Sequence, residues 1–260
     1  MYKIFAFLFI SLFFSLPAIS AVFEGGVEKT GMGTSSVILD ANTNLPVQDV
    51  KISMPQQNFT TYTDENGAFN LSAKINSPTI LAVEKDGYRP YSITVDKTVA
   101  DKPIVISIEK SNADDIVVTS GWYHLGDNSF STNSANCNEF HGEAQGNFYT
   151  KTFKIASTAL ASKYILIVGS IIGIDSLMAQ KMGQNKVKVA YASPPEIYLN
   201  GIKIANIELN GDGQRFELPK NILRKGMDNE LMIKTGRNMS QINHIDYDDI
   251  EFMNLSVISE

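Results

Sequence analysis

Between Ser35 and Lys110 the apolar residues come in short alternating runs, and each run is closed by turn residues before a helix could take hold. That rhythm admits a pleated sheet of many short strands and little else. Val37 and Leu39 open the first strand, ahead of turn residues from Asn42 to Pro46. Val50, Ile52 and Met54 make one face of the second. Thr60 to Thr63 is rich in β-formers, Asp64-Glu65-Asn66-Gly67 turns the chain, and Phe69 with Leu71 resumes the alternation. Ile80 to Val83, Tyr91 to Val95 and Ile104 to Ile108 complete about seven strands, with Asp86-Gly87 and Asp101-Lys102-Pro103 as breaks. No helix is expected here, and so many short strands in so few residues fit a small β-sandwich.

After a short polar join, Ser111 to Asp115, the strand pattern returns. It runs through Ile116 to Val118, Phe148 to Ile155, Tyr164 to Val168, Val187 to Tyr191, Ile197 to Leu199, Ile202 to Ile207, Phe216 to Leu218, Leu231 to Lys234 and Ile250 to Val257. The Asn200-Gly201 pair between alternating apolar residues is a strong hairpin signal, because both turn positions need positive φ. Asp175 to Met182 adds a helical turn or two, capped by Ser176 or Asp175. Ser129 to Gly146 is polar and without period, a long loop of the kind that is functional or disordered. The fold class expected is all-β, with two β-sandwich domains at 35–110 and 116–260 joined by the linker 111–115.

Lys3, the apolar stretch Ile4 to Leu16, Pro17 and the small-residue triplet Ala18-Ile19-Ser20 have the layout of a secretory signal peptide. Residues 1–21 are therefore expected to be removed, leaving the glycine-rich 22–34 as a flexible lead-in. The apolar run falls short of the roughly 20 residues that a spanning helix needs. Ile165 to Ile174 is shorter still and carries two glycines and a serine, so it reads as a core strand. No membrane span is expected after cleavage, and the address is secreted, periplasmic or cell envelope. Cys137 is the only cysteine, so no internal disulfide can form and the fold must hold by packing, aided by a metal where one binds. A net charge of -6 and a pI near 5.2 argue against a nucleic-acid partner. Neutral polysaccharide, protein or a cation stays compatible.

Three stretches in order, ILDANTNLPVQDVKI, TDENGAFNL and KDGYRPYSITV, are similar to the carboxypeptidase regulatory-like domain, a transthyretin-like sandwich. That resemblance implies a spacer or binding platform, since the peptidase catalytic domain is absent and no histidine precedes His124. Further on, YLNGIKI, LRKGMDNELMIK and DYDDIEFMNL resemble the galactose-binding-like jelly rolls of carbohydrate-binding modules and of accessory domains in secreted glycosidases. In such jelly rolls the first and last strands lie close, and a calcium commonly ties their ends together. The resemblance implies one structural calcium held by Asp127, Asn128, Asp248 and Asp249, whose oxygens suit a cation that takes six to eight oxygen ligands. Strand alternation would send Asp248 and Asp249 to opposite faces, one toward the ion and the other toward solvent.

Sugar recognition needs an aromatic face and polar groups that read hydroxyls. Trp122, Tyr123 and His124 sit together near the long loop, with Tyr149 and His141 able to approach from its other side. A lone tryptophan in a sandwich is also a usual core residue. Cys137, His141, His124 and Glu139 or Glu143 could be drawn as a zinc site, but Cys-x3-His is a loose spacing. Neither a G-x-S-x-G elbow nor an H-E-x-x-H helix occurs, while Glu139, Glu143, Glu196, Glu208 and Glu217 leave a glycosidase pair open. The expectation is an exported, non-catalytic protein that binds carbohydrate or another cell-surface component through loops of a calcium-stabilised C-terminal jelly roll. The first domain then acts as a spacer. A structural or adhesive envelope protein and a secreted glycan hydrolase are the alternatives.

Overall fold

The computed structural model describes residues 36–100, 102–129, 140, 142–185 and 191–260. The expected signal peptide and lead-in lie outside the described residues, as do Cys137, Glu139, His141 and most of the strand expected at Val187 to Tyr191. All seven strands of the first half form: β1 (Ser36–Asp40), β2 (Lys51–Met54), β3 (Phe59–Tyr62), β4 (Ala68–Phe69), β5 (Thr79–Glu84), β6 (Tyr91–Val95) and β7 (Val105–Ile108). A 3-10 turn at Pro55–Gln57 and the one-turn helix α1 (Lys97–Ala100) are additions too short to imprint a helical period on the sequence. A three-stranded sheet β4-β1-β7 and a four-stranded sheet β3-β2-β5-β6 enclose Ile38, Ile52, Met54, Leu81, Val95, Ile106 and Ile108.

In β1 it is Ile38 that is fully buried, while Val37 and Leu39 are half-buried. The phase is set by Asp40, whose buried carboxylate accepts from the backbone N–H of Asn42 (3.0 Å) and Thr43 (2.9 Å) and from the Tyr88 hydroxyl (2.9 Å). Those bonds fix the turn after the strand and hold the Asp40 carboxyl down at about 2.

The second half adds β8 (Ile116–Leu125), β9 (Phe148–Lys154), β10 (Tyr164–Ile172), α2 (Leu177–Lys181), β11 (Glu196–Leu199), β12 (Ile202–Asn206), β13 (Gly211–Glu217), β14 (Asp228–Lys234) and β15 (Ile250–Ser259). Two four-stranded antiparallel sheets, β13-β10-β15-β8 and β12-β11-β14-β9, close over Leu166, Val168, Ile197, Leu199, Leu231, Ile233, Phe252 and Val257. Asn200 and Gly201 take φ of 52° and 80° in the β11–β12 hairpin. Ser176 caps α2, its hydroxyl accepting from the N–H of Ala179 at 3.0 Å.

β8 runs to Leu125, well beyond the expected end at Val118. Thr119, Ser120 and Gly121 interrupt its apolar pattern, but pairing with β15 carries the strand through a bulge at Asn254, which sits at φ 60°. The first and last strands of this half are thus neighbours. Trp122 lies opposite Met253 and His124 opposite Glu251.

Thr34 to Glu260 form one compact unit, and the two sandwiches meet along a packed seam. Strand β5 reads TILAVE because both its faces are covered: Leu81 and Val83 enter the first core, while Ile80 and Ala82 pack with Phe140, Ile172, Met253 and Trp122. Asp212 accepts from the Thr94 N–H (3.0 Å) and hydroxyl (2.8 Å) and from the Ser170 hydroxyl (2.7 Å). The join at 111–115 is pinned too, since the Arg89 guanidinium donates to Asp115 at 2.7 Å.

Candidate functional site

Beside the seam a cavity of about 250 Å³ opens between the sandwiches, lined by Pro55, Gln56, Ser77, Thr79, Trp122 and Glu251 among others. Its first wall is the 3-10 turn, which Pro55 opens and Asn58 closes at φ 50° by donating its N–H back to the Pro55 carbonyl. The turn presents Gln56 inward. Gln56 Oε1 accepts from the N–H of Ile80 at 3.1 Å, and its Nε2 donates across the seam to Glu251 Oε2.

The opposite wall follows from pleat alternation on β8 and β15. Tyr123 and Phe252 turn into the second sandwich, whereas Trp122, His124, Glu251 and Met253 turn toward the seam. Trp122 is half-buried and its indole lies against the chain at Gly142, where an added Cβ would stand 2.7 Å from the ring. Glu251 is 1% exposed, and burial pushes its carboxyl up to about 7 despite the Gln56 bond that opposes the rise. Behind it His124, fully buried, places Nδ1 3.7 Å from Glu251 and Nε2 2.9 Å from Asp249 Oδ1.

Of the four residues expected to meet a ligand, the structure brings one to a cavity. Trp122 lines the cleft. Inside the second core Tyr123 stacks on Phe252 at 5.4 Å, while Tyr149 meets Tyr123 at a tilt at 4.3 Å and Phe252 edge-on at 5.5 Å. His124 packs at 5.1 Å on Phe140 behind the cavity wall. The reason is alternation on a strand that extends seven residues past its expected end: Trp122 and Tyr123 cannot share a face.

The acidic residues gather at a second place, a pocket of about 10 Å³ lined by Asp175, Tyr191, Ala192, Asn238, Asp246, Asp248 and Asp249. Asp248 and Asp249 precede β15 rather than belonging to it, and both are buried, so neither faces solvent. Burial, and next the charge of Asp175, push the Asp248 carboxyl well up. Asp246 accepts from Asn238 Nδ2 at 3.0 Å with one oxygen, while its other oxygen is buried without a partner.

Asp127 and Asn128 stand close by but in a bracing role. Asp127 accepts from the N–H of Ser129 and of Tyr247, each at 2.9 Å, and Asn128 accepts from that of Ala144 at 2.8 Å. Asp249 Oδ1 is engaged by His124 and by the Asn128 N–H at 3.4 Å. Among the described residues no three His, Cys, Asp or Glu side chains are grouped so that they could hold a metal ion. A pocket this small has room for one ion or water. A cation there would rest on at most two carboxylates, completed by amide, carbonyl and water oxygens, which calcium accepts.

Sequence reasoning passed over Glu251 and Gln56. A single carboxylate in the apolar run IEFMNL was a visible signal, whereas nothing in Gln56's own neighbourhood announces a partner 195 residues away.

Residues 34–118 match the CarboxypepD_reg-like domain family, which covers the first sandwich and the opening of β8. No curated protein matches the sequence. Among solved structures the chain is similar to a β-glucuronidase from Ruminococcus gnavus at 11% identity and TM-score 0.32, over 57% of this chain and 30% of that one. A β-D-glucuronidase from Dictyoglomus thermophilum is similar at 13% identity and TM-score 0.29, over 58% and 29%. A protein provisionally described as carbohydrate binding, from Bacteroides uniformis, is similar at 14% identity and TM-score 0.23, over 87% of this chain and 97% of that one. The chain spans less than a third of the length of those glucuronidases. Likenesses this shallow carry nothing about function.

Proposed function

We propose that this is an exported, non-catalytic carbohydrate-binding protein in which a transthyretin-like sandwich and a jelly roll together form one ligand cleft. The observation that carries the reading is the cavity at the seam: a half-buried tryptophan beside two carboxamides, two hydroxyl side chains and a carboxyl. An aromatic ring shields the apolar face of a sugar ring, and the polar groups satisfy its hydroxyls. At about 250 Å³ the space lies below the roughly 300 Å³ at which drug-sized pockets begin, and so suits one sugar unit. The first sandwich supplies Pro55, Gln56, Ser77 and Thr79 to this site, so it acts as half of the receptor instead of a spacer.

Calcium belongs to the same proposal as a structural ion in the acidic pocket, where it would offset the mutual repulsion of Asp175, Asp246 and Asp248 and give the unpartnered Asp246 oxygen a partner. Among the described residues no helix is long and apolar enough to cross a membrane, which is compatible with release into the envelope or the medium.

The test is a glycan array followed by titration calorimetry on the best ligand. Trp122→Ala is expected to weaken binding about tenfold or more, an effect of roughly 1.4 kcal/mol. Retained affinity in that variant would remove the cleft as the binding site, and silence across broad glycan classes would favour an adhesive role.

A further inference from the structure

The lining of the cleft divides by depth. Thr79 and Glu251 are 3% and 1% exposed and form its floor, whereas Pro55, Gln57, Ser77, Pro78, Trp122 and Gly142 are half-buried and form its rim. Beneath the floor the two sandwiches are packed together, with Ile80 and Ala82 of the first against Ile172 and Met253 of the second. Gln56 spans the gap between the walls, since its carboxamide is bonded to the Ile80 N–H on one side and to Glu251 on the other. The cleft is therefore closed at its inner end, and a ligand reaches it through the rim.

The polar groups divide in the same way. At the floor they are already engaged: Gln56 at both ends, Glu251 as its acceptor, and the Thr79 hydroxyl as donor to the Ser77 carbonyl at 3.2 Å. At the rim the Gln57 carboxamide and the Ser77 hydroxyl have no hydrogen-bond partner among the described residues. A carboxamide offers both donors and an acceptor, which matches hydroxyl groups that themselves donate and accept. The groups free to read a ligand thus stand at the mouth, beside the Trp122 ring.

Resting on the carbohydrate reading above, we propose that the cleft takes the terminal unit of a glycan chain end-on, and that Gln57 is the residue that reads its hydroxyls. An internal unit carries a glycosidic bond on each of two sides of its ring, so it needs a groove open at both ends. A terminal unit carries one such bond, which leaves through the mouth while the free edge of the ring enters. The volume of about 250 Å³ sets the same limit, because a second unit stays outside the rim and adds little contact.

Trp122 is the only tryptophan in the chain, so its fluorescence reports the occupancy of this cleft directly. The full exported chain is titrated with glucose, galactose and mannose, each as the free sugar, the disaccharide and the trisaccharide. At least one series is expected to give a response, with Kd unchanged within about threefold from the free sugar to the trisaccharide. A gain of about tenfold or more along the series overturns the end-on assignment and leaves the carbohydrate reading standing. No response to any of these sugars overturns both at this cleft. Gln57→Ala is expected to weaken the responding series by about three- to tenfold at every length, the size of one or two lost hydrogen bonds. Its thermal midpoint is expected to stay unchanged, because the side chain bonds to nothing in the described protein. Full affinity in that variant, or a lowered midpoint that accounts for the loss, overturns the role given to Gln57.

Discussion

Glu251 ties the stability of the fold to pH. Its carboxyl is raised from 4.5 to about 7 by burial, so the folded protein holds a proton there more tightly than the unfolded chain does. For a raised group the stabilising contribution is full below the unfolded value and is lost as pH climbs through the folded one. Asp248 is raised in the same direction. The midpoint of thermal unfolding is therefore expected to fall between about pH 5 and pH 8, with Glu251 accounting for on the order of 3 kcal/mol. Glu251→Gln should flatten the slope, as should calcium through Asp248. A midpoint that rises across that interval in chelator would show that these carboxyls are solvated instead of buried. Asp40 acts at the other end of the scale: its lowered carboxyl protects the fold above about pH 4, and that protection is lost as pH falls toward 2.

At the scale of elements, β-hairpin and cap signals transferred from sequence to structure with little loss. Asn200-Gly201 specified its turn through backbone sterics alone, and at Gly201, with φ 80°, a Cβ would meet nothing within 4 Å. Gly201→Ala is accordingly expected to cost about 1 kcal/mol in urea unfolding purely from the positive φ, without affecting the cleft. A neutral substitution would mean that the hairpin relaxes to another turn. Strand ends were less legible. β8 continues through Thr119, Ser120 and Gly121 because β15 offers it a ladder of hydrogen bonds, and local composition has no means of recording a partner strand so distant in sequence. That extension is what split Trp122, which lines the cavity at the seam, from Tyr123, which packs into the second core.

For the whole molecule, the seam is what joins the two sandwiches into one packed body. Ile80 and Ala82 leave the first domain to join Ile172, Met253 and Phe140, while Asp212 is bonded to Thr94 of β6. Trp122 packs on this cluster, so its fluorescence and far-ultraviolet circular dichroism are expected to follow a single unfolding transition. Ile80→Ala should lower stability by about 2–4 kcal/mol and pull the two signals apart as the sandwiches lose their coupling. Coincident curves in that variant would show that other contacts carry the coupling.

From its sequence alone this chain is an all-β protein: period-two alternation, turn dipeptides and the carboxypeptidase regulatory-like motifs are local features, and local sterics and propensity read them directly. The acidic gathering before the last strand was visible in the same way, as residue type and neighbourhood. Which carboxylates meet, which aromatic faces a cavity and which domain supplies the other wall were decided only in three dimensions. Each depends on strand register and on a contact between residues far apart along the chain, such as Gln56 and Glu251. Neither residue carries in its own surroundings the information that the other will be there.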